Sequence, residues 1–214
     1  MTCTHRRLGE LVGLAAIVFS AVYLISDVVE VVQGNFSTTR LVLTYLGEST
    51  IPLFVLGLFA AQRPRIGWLG LFGATAYAYA YVFFTSTVVY ALVEGVVDYR
   101  ALTASFGPWM TAHGAIMLIG GVAFGIAVVQ ARVLPRWTGF CLIGGVVLVA
   151  AASGLPTYTR ALAEAGPAIA FIGMGVALLR GRSDVANHVG RQAVDLATTE
   201  PRQTPTTPSS CPMP

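Results

Sequence analysis

The apolar positions of this chain run together in blocks rather than alternating with polar ones. The blocks cover about 8–32, 41–61, 67–94, 109–130, 138–154 and 163–180, close to the roughly 20 residues a helix needs to cross about 30 Å of hydrocarbon. Strands of a membrane barrel alternate apolar and polar residues, and these blocks do not. The pattern therefore predicts an all-α membrane protein, a bundle of six transmembrane helices that uses nearly all of residues 1–182. Two of the connections, Gln62-Arg63-Pro64-Arg65-Ile66-Gly67-Trp68 and Gln130-Ala131-Arg132-Val133-Leu134-Pro135-Arg136-Trp137, are short enough to force neighbouring helices antiparallel. Small residues recur inside the blocks, as at Gly57 and Ala61, Gly121 and Gly125, and Gly173 and Gly175. Small residues let helix backbones approach closely in lipid, so these are read as packing positions.

After Arg182 the pattern ends. Residues 183–214 are rich in Thr, Ser, Gln and Pro, with prolines at 201, 205, 208, 212 and 214. So little apolar surface does not offset the entropy of ordering, and a disordered cytoplasmic tail is expected, after a short helix around 184–197.

Composition agrees: 55% of the 214 residues are hydrophobic and only 11% charged, against about 25% in a typical soluble domain. All 13 basic residues are arginine. Arg6, Arg7, Arg63, Arg65, Arg132, Arg136, Arg180, Arg182, Arg191 and Arg202 fall in the two tails and in alternate loops, whereas the remaining loops hold only Arg40, Arg100 and Arg160. Under the positive-inside rule this bias places both termini in the cytoplasm. The arginines mark helix ends rather than a patch, so the basic balance does not point to nucleic acid. Arg6 and Arg7 before an apolar run resemble the start of a signal peptide. No small-residue cleavage site follows and Asp27 interrupts the run, so the segment is read as a retained helix. Cys3, Cys141 and Cys211 are all on the cytoplasmic side of this topology and predict no disulfide framework.

Ionisable groups at membrane depth cost several kcal/mol unless paired or hydrated, which makes them the candidate chemistry. They gather in the outer half: Asp27 and Glu30 on the first span, Glu48 on the second, Glu94 and Asp98 at the end of the third, His113 on the fourth and Glu164 at the start of the sixth. Near the membrane on the cytoplasmic side there is only Glu10. Glu48 lies in Thr44-Tyr45-Leu46-Gly47-Glu48-Ser49-Thr50-Ile51-Pro52, where Pro52 has no N–H for the Glu48 carbonyl. A freed carbonyl, a carboxyl and two hydroxyls within one turn suit a polar pocket. Asp27 and Glu30, three residues apart, share a helix face and can hold a cation or relay a proton. His113, the only histidine in the spans, is a candidate partner or proton acceptor for Glu48 or Asp27. Arg160 is placed to counter these acids or to snorkel at a helix end.

The third span is aromatic, and Tyr77, Tyr81 and Phe84 share one face at i, i+4 and i+7. They form either a packing stripe or a wall for a flat or cationic ligand. The candidate ligand-binding set is thus Glu48, Asp27, Glu30, His113, Tyr77 and Tyr81. No phosphate-binding glycine loop, CxxC, HExxH or serine elbow is present, so neither metal nor cofactor is expected. Binding or transport of a small amphipathic molecule or cation is the leading expectation. A partner or scaffold subunit, or a homo-oligomer, is the alternative. A third class is a membrane-embedded enzyme on an isoprenoid-like substrate, with Glu48 or Asp27 as general acid.

From His113 through Gly121, Phe124-Gly125 and Val133-Leu134-Pro135-Arg136-Trp137-Thr138-Gly139, a glycine-rich helix runs into a Leu-Pro-Arg-aromatic-x-Gly turn. This stretch resembles small multi-spanning bacterial membrane proteins of unknown function. The resemblance implies a bacterial inner-membrane location and carries over no activity and no catalytic residue.

Overall fold

A computed structural model describes the backbone of residues 3–34, 36–152, 155 and 157–199, and the side chains of 7–34, 36–152, 155 and 158–181. Among these residues every regular element is helical. They are α1 (Cys3–Gln33), α2 (Thr38–Ala61), α3 (Gly67–Glu94), α4 (Tyr99–Phe106), α5 (Pro108–Ala131), α6 (Arg136–Ala151) and α7 (Thr157–Thr199).

Local chemistry sets the helix ends. Ser37 opens α2 by accepting the Arg40 N–H at 3.2 Å, and Asp98 opens α4 by accepting that of Ala101 at 2.7 Å. Such side-chain caps satisfy amide groups that have no partner in the first turn. Gly95 closes α3 in the left-handed region at φ 64°, where a residue without a Cβ carries no penalty.

Five helices are long and apolar enough to cross a membrane: α1, α2, α3, α5 and the Tyr158–Gly181 part of α7. The remaining apolar block, α6, has 16 residues and so a length of about 24 Å, short of the hydrocarbon thickness. The short helix α4 occupies a stretch the sequence pattern treats as a loop. It was hidden because eight residues of mixed polarity leave no periodic signal of their own. The chain divides into Met1–Arg180 and Gly181–Pro214. As a helix α7 continues to Thr199, over the stretch where composition suggests a short helix ahead of a disordered tail; residues 200–214 lie outside the described residues.

Within the first unit, α1 packs on α2, α2 on α3, α3 on α5 and α5 on α6. The contacts are close because glycine faces backbone. A Cβ on Gly73 of α3 would lie 2.3 Å from the Phe124 amide nitrogen of α5, and one on Gly145 of α6 would meet Pro167 of α7 at 2.4 Å. Gly13 of α1 and Gly175 of α7 face each other in the same way, joining the last helix to the first.

Burial is inverted relative to a soluble bundle. On α1 the inward stripe is Gly13, Ala16, Ser20, Ser26, Asp27 and Glu30, whereas Leu11, Leu14, Ile25 and Val28 are exposed. A helix in water hides the second set and shows the first. A helix in lipid does the reverse, because hydrocarbon is as apolar as leucine and unpaired polar groups are costly there.

Candidate functional site

The inward stripes repeat at helical spacing and converge on one end of the first unit. Ser20 and Tyr23 come from α1; Arg40, Thr44, Glu48 and Ile51 from α2; Tyr77, Tyr81, Phe84 and Val88 from α3. They enclose, with residues from α4, α5, α6 and α7, a cavity of about 520 Å³. The helix ends around it are those joined by the arginine-poor loops. Its composition is two-sided: Arg40, Arg160, Glu48 and Glu164 contribute charge, while Met117, Val146 and Phe171 form part of an apolar wall.

The charged side is a connected network. Glu30 accepts from Arg40 Nη2 at 2.5 Å through Oε2 and from Arg160 Nη2 at 2.6 Å through Oε1. Arg160 Nε also faces Glu164 Oε1 at 3.4 Å, one turn along α7, and Tyr23 donates to Glu164 Oε2 at 3.1 Å. Both guanidiniums lie over aromatic rings: Arg40 over Phe36 at 4.2 Å and Arg160 over Tyr99 at 3.9 Å. Tyr99, on α4 outside the candidate spans, has its hydroxyl pKa pushed up by burial, with the Arg160 charge pulling the other way. The carboxyls of Asp27 and Glu164 are neighbours in this network.

Two carboxyl oxygens in this region have no hydrogen-bond partner among the described residues: Asp27 Oδ2 and Glu48 Oε2. Asp27 is 4% exposed and Glu48 7%. Glu48 reaches the cavity wall, which Asp27 does not. Arg40 Nε is likewise a buried donor without a partner.

The aromatic face of α3 also lies in the cavity. Tyr77 and Tyr81 lie tilted at 46° to one another with centroids 5.0 Å apart and hydroxyls 3.5 Å apart, Tyr81 meets Phe84 edge-on, and Tyr77 meets Phe171. Tyr79 points elsewhere, against His113.

Of the candidates named from sequence, Glu48, Tyr77 and Tyr81 line the cavity, and Asp27 and Glu30 belong to the buried network behind it. His113 does not join them. Its ring is stacked on Phe83 at 3.7 Å and its Nδ1 bonds the Trp109 carbonyl at 2.9 Å, so α5 turns it toward the α3 aromatics. Ser49 and Thr50 do not join Glu48 either; their hydroxyls bond carbonyls of their own helix at Leu46 and Gly47. Glu94 and Asp98 are exposed, and Asp98 serves as the cap of α4.

Sequence reasoning passed over Arg40, Tyr23 and Tyr99, and left Arg160 and Glu164 at the margin. Arg160 was placed in a loop, whereas α7 begins at Thr157 and carries it inward at 6% exposure. The spacing of Arg160 and Glu164, four apart, was the available signal. Among the described residues no group of three or more His, Cys, Asp and Glu side chains stands ready to hold a metal ion.

Comparison with known proteins finds no matching family model, curated protein or solved structure. Fold and site therefore define a class by architecture alone. Among the described residues every regular element is helical, with helices of membrane-spanning length around an amphipathic cavity and a buried arginine–carboxylate network at its polar side.

Proposed function

We propose that this chain is a six-span inner-membrane protein of bacterial type, with both termini cytoplasmic, that binds a small amphipathic molecule or cation for transport. The ligand occupies the outer-half cavity. The observation that carries this reading is Glu48: a buried carboxyl with an unpartnered oxygen, set in the wall of a cavity that has a charged side at Arg40, Arg160 and Glu164 and an aromatic and aliphatic side opposite in character. Small-molecule sites are typically concave, mostly apolar spaces of about 300–1,000 Å³ with few polar groups, and this cavity falls within that range. A ligand with an apolar body and one polar or cationic end matches both walls. Its acceptor groups would meet Arg40 Nε.

Topology supports the same reading. The cavity lies toward the ends of α1, α2, α3 and α7 opposite the basic loops at Arg63, Arg65, Arg132 and Arg136, the loops that the positive-inside rule assigns to the cytoplasm. In this arrangement α6 completes the sixth crossing by local thinning of the bilayer, a modest cost for a short span.

Native mass spectrometry of gently solubilised protein tests the proposal, with wild type beside Glu48→Gln and Gly114→Phe. Gly114 lines the cavity and a Cβ there has no neighbour within 4 Å, so a phenyl group introduced at this position is expected to take up cavity space. A small molecule retained by wild type and lost from both variants is the expected result. The same retention in Gly114→Phe as in wild type would place the ligand elsewhere and overturn the reading.

A further inference from the structure

We infer that the cavity exchanges one monovalent organic cation for one proton, the cation resting against Glu48 with its body among Tyr77, Tyr81 and Phe84. This rests on the binding reading above and names its ligand class and its coupling.

The charge balance is the starting point. Behind and along the cavity stand four carboxyls, Asp27, Glu30, Glu48 and Glu164, against two guanidiniums, Arg40 and Arg160. Both guanidiniums are committed: each bonds Glu30 and each covers an aromatic ring. An anionic ligand could meet only the Arg40 Nε–H without displacing Glu30, and it would add negative charge to a surplus of carboxyls. Buried charges without compensation are strongly unfavourable, so the two surplus carboxyls require two positive charges, from protons or from a ligand.

Their placement assigns one to each. Asp27 and Glu164 are neighbouring carboxyls of the buried network, and one proton held between such a pair offsets one of the two surplus charges. Glu48 has no such neighbour and faces the cavity. The titratable and charged groups that line the cavity with it are Tyr23 from α1, Arg40 from α2, Tyr77 and Tyr81 from α3, Tyr99 from α4, and Arg160 and Glu164 from α7, with Asp27 and Glu30 of α1 in the network behind. The lining residues of α5 and α6 are not titratable. With no further cation in that set, Glu48 is balanced by its own proton when the cavity holds no charged ligand. A monocation entering takes that place, and the proton leaves to solvent: one positive charge in, one out.

The cation is organic rather than a metal ion for two reasons. No cluster of three or more acidic, histidine or cysteine side chains surrounds Glu48 among the described residues. Tyr77, Tyr81 and Phe84 line the same cavity as Glu48, and aromatic side chains accommodate a diffuse cation and bury an apolar body.

The test uses the full chain in nanodiscs with two fluorescent probes, ethidium as an aromatic monocation and N-phenyl-1-naphthylamine as a neutral one, with proton release read in weak buffer. Expected is release of about one proton per ethidium bound, with the ethidium Kd falling about tenfold per pH unit gained over the range in which the site is protonated. Glu48→Gln loses the proton release and most ethidium affinity but retains the neutral probe, Glu48→Asp retains the exchange, and Gly114→Phe loses both probes. Ethidium binding without proton release overturns the exchange and leaves the binding reading intact. Binding of the neutral probe alone, sensitive to Gly114→Phe, overturns the cation and again leaves the cavity standing. Failure of both probes to respond to Gly114→Phe overturns both.

Discussion

Arg160 donates to Glu30 at 2.6 Å although 130 positions separate them in the chain, and the pair ties the start of α7 to the end of α1. Because Glu30 also accepts from Arg40 at the start of α2, one carboxylate holds three helices at the polar side of the cavity. Both side chains of the Arg160–Glu30 pair are nearly excluded from solvent, at 8% and 7% exposure.

Removing Glu30 therefore leaves two buried guanidiniums without their common partner. Breaking a buried pair from one side costs about 3–5 kcal/mol, because the remaining charge is uncompensated. Glu30→Gln is expected to lower the thermal midpoint in mild detergent by on the order of 10 °C, at about 2–4 °C per kcal/mol for a domain of this size. An unchanged midpoint would mean that the network does not hold these helices together.

The glycine contacts make opposite predictions at two positions. Gly73→Ala drives a methyl group to 2.3 Å from the Phe124 backbone and is expected to destabilise by about 1–3 kcal/mol, the usual cost of overpacking. Gly114→Ala meets open space and is expected to be neutral or to stabilise by up to about 1 kcal/mol through helix propensity. Thermal unfolding of the two variants side by side checks the pair, and equal midpoints would contradict the close crossing of α3 and α5.

His113 separates packing from binding. Its ring stacks on Phe83 and lies outside the cavity lining, so His113→Phe is expected to keep ligand retention within about twofold of wild type, while Glu48→Gln loses it by about tenfold or more, as expected when a charge-assisted contact is removed. A loss of binding in His113→Phe as large as that in Glu48→Gln would return the histidine to the site.

Reporter fusions test the topology. Fusions in the connections at Arg65 and Leu134 and after Thr199 are expected to act as cytoplasmic, and fusions at Val97 and Leu155 as external. An external tail would leave α6 on one side of the membrane, consistent with its 16 residues, and would reject the sixth crossing.

Apolar periodicity located the long helices well: the block at 67–94 coincides with α3, and that at 109–130 differs from α5 by one residue at each end. Length and hydropathy are properties of contiguous residues, and a spanning helix satisfies its backbone bonds within itself. The same reasoning found Glu48, Asp27 and Glu30, since a carboxyl in an apolar run is conspicuous without any knowledge of its neighbours. It took Arg40 for a loop residue and left Arg160 open between countering the acids and snorkelling, because an arginine near a helix end looks alike whether it snorkels or turns inward to a carboxylate on another helix.

By itself, then, the sequence determined the class of this protein, its helical blocks and the side of the bundle on which its acids gather, because each of these follows from residues adjacent in the chain. Only the tertiary structure decided that Glu30 bridges Arg40 and Arg160, that Tyr77, Tyr81 and Glu48 share one cavity while His113 lies apart, and that α4 adds Tyr99 to its wall. Those relationships depend on how each helix is rotated about its axis, which is set by close glycine contacts and paired charges between segments far apart in sequence.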